Sequence, residues 1–422
     1  MEVIMTEEVK RHVEERVILV AISMQRQEAE TQASIEELED LVKTAGAITV
    51  GVVIQNRDKF HPGTYVGKGK IEEIREEIER TNATGIICDD ELSPAQLRNL
   101  ESELNAKVID RTILILDIFA KHAHTKEGKL QVELAQLKFT LSRLAGLGAS
   151  LSKLGGGIGT RGPGEKKLEM DRRYIRDRIG ILKDELEEMK RHRDMLREGR
   201  KNIGKPMIAI VGYTNAGKST ILNQLTDAGV LQEDKLFATL DPTTRNLSLP
   251  DGKEIMLTDT VGFVRKLPHH LIQAFKSTLE EAAFADILLH VVDSSSPQAS
   301  RHIEVVYETL EKLGAGDKPV LTLFNKIDKE GADTSLKDLK AFKTVNMSAI
   351  NSVGFDEMLK ILEDKLQEDK ILIKTTIPYD QGSTLQAIRV YGQILKESYE
   401  NDGTYIEAYV DHFLLNKYNL SI

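Results

Sequence analysis

The sequence predicts an α/β protein of several parts, and three observations carry the prediction. Short apolar runs alternate with helical periodicity in two separate stretches. A glycine-rich turn sits between an apolar run and an amphipathic one. Heptad-like spacing fills the interval between the two stretches. The expected parts are an amino-terminal α/β domain over residues 1–128 and a helical hairpin over 129–204 with a glycine-rich basic loop at 145–164. A larger, doubly wound domain over 205–369 and a small carboxy-terminal α/β module over 370–422 follow.

Within the first part, Val17-Ile18-Leu19-Val20-Ala21-Ile22, residues 47–54, Gly85-Ile86-Ile87-Cys88 and Lys107-Val108-Ile109-Asp110 read as strands. Residues 34–45, 70–81 and 93–105 read as helices, an alternation that implies a largely parallel sheet. The period then changes. Leu130, Leu134, Leu137, Leu141 and Leu144 form a seam that Leu168, Ile175, Ile179, Leu182, Leu186, Met189 and Leu196 continue after a break. Two such helices close most simply as an antiparallel hairpin. The break holds eight glycines among the twenty residues from Ala145 to Gly164, too few side chains to pack.

Beyond residue 204 six strands are expected, at 207–211, 245–249, 254–258, 287–293, 320–325 and 342–346. The turn Pro250-Asp251-Gly252-Lys253 makes the second and third of them antiparallel. The tail reads as a strand near 371–377, a helix over 384–395 and a strand near 405–410.

Composition narrows the functional classes. Hydrophobic residues at 41% and charged residues at 29% fit a globular chain, and no apolar run reaches the length of about 18 that spans a bilayer. No basic-then-apolar leader reads from the first residues, and the single cysteine, Cys88, leaves no internal disulfide, so the expected location is the cytosol. A net charge of −10 argues against general nucleic-acid binding. Residues 129–204 depart from it, with 18 Lys plus Arg against 11 Asp plus Glu, which suggests a localised polyanion contact.

The chemistry is concentrated in residues 207–350. An apolar strand runs into Gly212-Tyr213-Thr214-Asn215-Ala216-Gly217-Lys218-Ser219 and then into a helical pattern, the context that a phosphate-binding loop requires. Its glycines let backbone N–H groups turn toward phosphates, and the following helix adds the positive end of its dipole. Lys218 is the expected contact to the β- and γ-phosphates, and the Ser219 hydroxyl a Mg²⁺ ligand. The next strand ends at Asp259, expected to hold the metal through water, and continues as Thr260-Val261-Gly262, where the Gly262 N–H would sense the γ-phosphate. Phe237-Ala238-Thr239-Leu240-Asp241 lies where a first switch must lie, and Thr239 and Thr243 both suit the second Mg²⁺ ligand.

Asn325-Lys326-Ile327-Asp328 closes another strand. Asp328 can accept from N1–H and the exocyclic amine of guanine, which adenine cannot match, and Asn325 would tie this turn to the phosphate loop. Ser348-Ala349-Ile350 should cap the base oxygen with a backbone N–H. These elements together specify a P-loop GTPase domain, with Lys218, Thr239 and Gly262 as its catalytic groups. Phe263 stands where many regulatory GTPases carry a water-orienting glutamine, so intrinsic turnover should be slow. Asn215 can brace its loop or ligate a potassium ion.

Several of these runs resemble one family. The stretches Asp110-Arg111-Thr112, Leu114-Ile115-Leu116-Asp117-Ile118-Phe119-Ala120 and residues 127–137 resemble the HflX family of translational GTPases. So do Gly155-Gly156-Gly157-Ile158-Gly159-Thr160-Arg161-Gly162-Pro163-Gly164-Glu165, Asp171-Arg172-Arg173 and both the phosphate loop and first switch. The likeness covers residues 17–366 and implies that Thr239, rather than Thr243, is the switch ligand. It implies a partner, the large (50S-type) ribosomal subunit and its rRNA, and the splitting of stalled or idle ribosomes under stress. Lys153, Gly155, Gly156, Gly157 and Arg161 are then the candidate rRNA contacts. The expected state is a cytoplasmic monomer that associates with ribosomes and cycles between GTP and GDP. The alternative is a signalling switch acting on a protein effector.

Overall fold

The computed structural model describes residues 14–24, 28–151, 163–201, 205–226, 236–237, 240–266, 268, 271, 276–368, 370–410, 412–418 and 420. They divide into two compact units. The first comprises residues within 1–186, 233–241 and 264–276, and the second those within 187–232, 242–263 and 277–422. Among the described residues no helix is long and apolar enough to cross a membrane.

The first unit is built on β1 (Arg16–Ser23), α1 (Glu28–Ala45), β2 (Ile48–Asn56), α2 (Lys68–Thr81), β3 (Gly85–Cys88), α3 (Pro94–Leu104) and β4 (Lys107–Asp110). Its sheet has the order β2-β1-β3-β4 and every pairing is parallel, as the alternation implies. Ile18, Val20, Ile86, Cys88 and Val108 bury one face of it against Ile71, Ile74 and Leu100. The α3 start is written in the sequence: Pro94 follows Ser93, whose side chain and that of Gln96 each accept the other's backbone N–H.

α4 (Arg111–His122) has no counterpart in the sequence reading. Its aliphatic run fits strand and helix alike. The Asp110 carboxylate decides by accepting the Ile113 N–H at 3.0 Å as a helix cap.

The hairpin forms from α5 (Lys126–Leu151) and α6 (Pro163–Lys201). Arg178 binds Glu133 through two hydrogen bonds of 2.7 and 2.9 Å, and Arg172 donates to the Leu144 carbonyl. Partners thus rise along one helix as they fall along the other, the antiparallel arrangement. Leu130, Leu134, Ile175, Ile179 and Leu182 are buried, while Leu137, Leu141 and Leu144 stay half-buried. The basic loop residues Lys153, Gly155, Gly156, Gly157 and Arg161 lie outside the described residues.

A buried charge cluster belongs to this unit. The Arg111 guanidinium donates to Asp89 at 2.6 Å and to Glu37, and Ser34 donates to Asp89 at 2.8 Å. Lys266 donates to Asp89 and, at 2.7 Å, to Asp90, with its own backbone in the left-handed region at φ 52°. Burial pushes the Asp89 carboxyl up, but the Arg111 and Lys266 cations override it and hold it below its ordinary value. Cys88, one residue earlier, is fully buried, and burial followed by its acidic neighbours pushes its thiol well up.

The second unit contains the six-stranded sheet β10-β9-β8-β5-β7-β6, made by β5 (Met207–Gly212), β6 (Thr243–Ser248), β7 (Glu254–Asp259), β8 (Ile287–Asp293), β9 (Val320–Asn325) and β10 (Lys343–Asn346). Only the β6–β7 pair is antiparallel, and Gly252 at φ 83° makes the turn between them. β5, β8 and β9 are buried along nearly their whole length, as strands covered on both faces must be. The helices after these strands are α7 (Lys218–Thr226), α8 (Lys276–Phe284), α9 (Ala299–Lys312) and α10 (Phe355–Glu368).

In the tail, β11 (Ile371–Ile377) and β13 (Gly403–Val410) fall where expected, with α11 (Gly382–Tyr391) and α12 (His412–Tyr418). The helix expected to reach residue 395 instead ends at Tyr391. Gln393–Glu400 is a further strand, β12, paired antiparallel with β13. Gly392 is the reason: a Cβ there would lie 2.7 Å from the Ile388 carbonyl oxygen, so the last turn closes on a glycine and the chain reverses.

Candidate nucleotide site

Gly212, Asp259, Asp293, Asn325 and Asn346 end β5, β7, β8, β9 and β10, so five strands deliver their carboxyl ends to one edge of the sheet. Ligands of open parallel sheets bind at that edge.

The loop after β5 is drawn tight. A Cβ on Gly212 would stand 2.3 Å from the Val291 carbonyl oxygen, and one on Gly217, at φ 102°, 2.2 Å from the Asn325 amide. Lys218 is buried and donates to the Tyr213 carbonyl at 2.8 Å. Burial brings its ammonium down to about 8, against the opposing pull of Asp259. Ser219 donates to the Asp259 carboxylate at 2.7 Å, so two hard oxygen donors stand side by side.

The segment after β7 is zipped onto the loop. Phe263 donates its N–H to the Gly212 carbonyl at 3.1 Å and accepts from Thr214 N–H at 2.8 Å. Its side chain is 1% exposed, packed into the core and unable to handle water. Gly262 lies so near that a Cβ would meet the Thr214 methyl at 2.7 Å and the Lys218 Nζ at 3.0 Å. Thr260 donates to the Ile210 carbonyl at 2.7 Å, and Val261 is buried, so neither side chain faces out.

The Asn325 amide joins the loop to the far side. It donates to the Ala216 carbonyl at 2.9 Å and accepts from Ala349 N–H at 2.9 Å. Lys326, with its backbone at φ 66°, lays its ammonium on the Asn215 carbonyl and the Asp293 carboxylate, each at 2.7 Å. Burial raises Asp293, but the hydrogen bonds from Lys326 and Ser295 win and hold it below its usual range. Ser348 donates to Asp328, Ile327 N–H reaches the Met347 carbonyl at 3.3 Å, and Ile350 is exposed.

The first-switch residues belong to the other unit. There Phe237 is buried edge-on against Phe119 at 4.6 Å, and Leu240 is buried. Asp241 accepts from His124 N–H at 3.0 Å, from Thr125 N–H at 2.8 Å and from the Thr125 hydroxyl. Ala238 and Thr239 lie outside the described residues. Sequence reasoning passed over Asp293, Lys266 and His302. The first two are ordinary charges whose ion-pair partners are distant in sequence, and His302 stacks on Tyr213, far from it along the chain.

A parallel sheet that gathers a P-loop, an acid-ended strand and an Asn-Lys-x-Asp turn at one edge defines a class: the chain is a P-loop GTPase. Families described as GTP-binding GTPase N-terminal, GTP-binding GTPase Middle Region and 50S ribosome-binding GTPase match residues 32–120, 122–200 and 207–326. The chain is 62% identical to the GTPase HflX of Lacrimispora saccharolytica, across 95% of this chain and 94% of that one. It is 48% identical to the GTPase HflX of Caldanaerobacter subterraneus subsp. tengcongensis, across 94% and 91%. A solved GTP-binding protein from the archaeon Sulfolobus solfataricus in complex with GDP aligns with 82% of this chain and 97% of its own, at 26% identity and a TM-score of 0.43. The chain belongs to the HflX family of GTPases.

Proposed function

We propose that this GTPase binds GTP along the edge described above and acts on the large ribosomal subunit, splitting stalled or idle ribosomes under stress, with hydrolysis releasing it. The observation that carries the nucleotide reading is the pair of hydrogen bonds of Asn325, one to the Ala216 carbonyl of the phosphate loop and one from the Ala349 N–H, which joins the Asp328 turn to both. In this reading Lys218 leaves the Tyr213 carbonyl for the β- and γ-phosphates, loop N–H groups from 217 to 219 cradle them, and Gly262 N–H meets the γ-phosphate. Asp328 accepts from the guanine edge, and the Ala349 region caps the base oxygen.

The paired oxygens of Ser219 and Asp259 fit Mg²⁺, which takes hard oxygen ligands, and Thr239 completes the set. Bound there, the ion would neutralise charge that develops on the phosphates. A potassium ion held by the Asn215 side chain would add positive charge near the phosphates, beside the Lys326 ammonium that lies on the Asn215 backbone carbonyl.

The ribosomal part rests on the family description over 207–326 and on the basic hairpin. Its test is GTP turnover with and without purified large subunits, for the full chain and for one lacking 145–164. The expected result is roughly tenfold or greater stimulation, as an activator supplies to GTPases lacking a water-orienting group, and its loss in the shortened chain. Unstimulated turnover in the full chain would overturn the ribosomal reading in favour of a signalling switch.

The base reading makes its own prediction. Asp328→Asn should lower GTP affinity by roughly ten- to a hundredfold and raise that for XTP, since the amide matches the altered base edge. Competition binding with the two nucleotides measures it. An unaltered preference for GTP would remove Asp328 from the site.

A further inference from the structure

Tyr213 is the residue on which the phosphate loop turns. It stands between Gly212 and the run to Gly217, two glycines at positive φ. Its carbonyl holds the Lys218 ammonium at 2.8 Å. The groups on either side of it, Gly212 C=O and Thr214 N–H, are those that bind Phe263 and so fix the segment carrying Gly262. Tyr213 thereby sets the backbone that carries the γ-phosphate contact.

Its ring is 5% exposed and lies flat on the His302 imidazole, with centroids 3.8 Å apart and planes inclined by 11°. His302 is a firm platform. It sits in the first turn of α9, whose Ile303, Val306 and Leu310 are buried in the core.

We propose that His302 is a positioning residue for GTP. Its ring fixes Tyr213, and the backbone groups flanking Tyr213 fix the segment that carries the Gly262 N–H. This rests on the nucleotide reading above. The stack acts on the γ-phosphate more than on the rest of the ligand, because Gly262 approaches only that phosphate whereas Lys218 and the loop N–H groups also meet the β-phosphate. His302 therefore tunes the preference for GTP over GDP and touches neither.

The test compares the affinity of the full chain for GDP and for a non-hydrolysable GTP analogue, by equilibrium binding with Mg²⁺. An aromatic stack of this kind is worth roughly two- to tenfold in a binding constant. His302→Ala should therefore weaken the analogue by roughly two- to tenfold while GDP changes by less than about twofold. His302→Phe, which keeps a flat ring, should restore the ratio, and His302→Leu, which keeps bulk without a planar face, should not. Equal losses for both nucleotides would show a purely structural role and overturn the proposal, as would an unaltered ratio in the alanine and leucine variants. If alanine prevents folding, the phenylalanine and leucine pair decides alone. Absence of all nucleotide binding by the unsubstituted chain would instead remove the nucleotide reading itself.

Discussion

Lys218→Met should abolish GTP turnover and at the same time make the nucleotide-free protein harder to unfold. The ammonium is buried, and burial lowers its value from 10.5 to about 8, a cost of about 3 kcal/mol to the protonated folded state at neutral pH. Its hydrogen bond to the Tyr213 carbonyl returns about 1 kcal/mol, so a thioether of similar length should stabilise by about 2 kcal/mol. The sign of the pH dependence follows from the same shift. Between about pH 8 and 10.5 the unfolded chain holds this proton and the folded chain does not, so stability due to Lys218 rises with pH across that window. The methionine variant should lack the rise. Thermal unfolding without nucleotide, beside a turnover assay, checks both halves. A lowered midpoint, or surviving turnover, would contradict the assignment of Lys218 as a strained phosphate ligand.

Asp89→Ala should be the most damaging single change in the first unit. It removes the carboxylate that receives Arg111, Ser34 and Lys266, and Arg111 is itself 1% exposed. A buried guanidinium deprived of its principal partner typically costs about 3–5 kcal/mol. The paired change Asp89→Leu with Arg111→Met should cost less than the two single changes added together, because it removes the charge along with its partner. Since the Asp89 carboxyl lies below its unfolded value near 3.8, its contribution is complete above that value and fades as the pH falls through the lower folded one. Urea unfolding of Asp89→Ala, Asp89→Leu, Arg111→Met and the paired change between pH 3 and 7 measures all of this. Additive costs, or a pH-independent effect, would mean that Asp89 and Arg111 are not coupled.

Much of the sheet architecture was legible, because a parallel strand buried on both faces must be a short continuous apolar run, as Ile86-Ile87-Cys88 and Leu288-Leu289 are. The phosphate loop and the Asn325–Asp328 turn were legible for a different reason. Each is a local device whose residue types are forced by backbone geometry. What escaped depended on partners elsewhere. α4 needed the Asp110 cap to choose helix over strand. β12 carries a polar sequence, Gln393 to Glu400, that only its pairing with β13 turns into a strand. Asp241, expected among the GTP contacts, has its hydrogen bonds with His124 and Thr125, 117 and 116 residues earlier. The Tyr213–His302 stack has no local signature at all.

Cys88 is the only cysteine of the chain, and it is sealed at the end of β3 beside the Asp89 cluster. Thiolate is the reactive form, and this thiol is both sheltered and held protonated. A thiol reagent can therefore reach it only during an opening of the first unit. Labelling rates measured across reagent concentrations would give the opening free energy of that unit alone, without an introduced probe. The unmodified protein thus carries an internal clock for the breathing of its amino-terminal sheet, readable while the GTPase unit turns over.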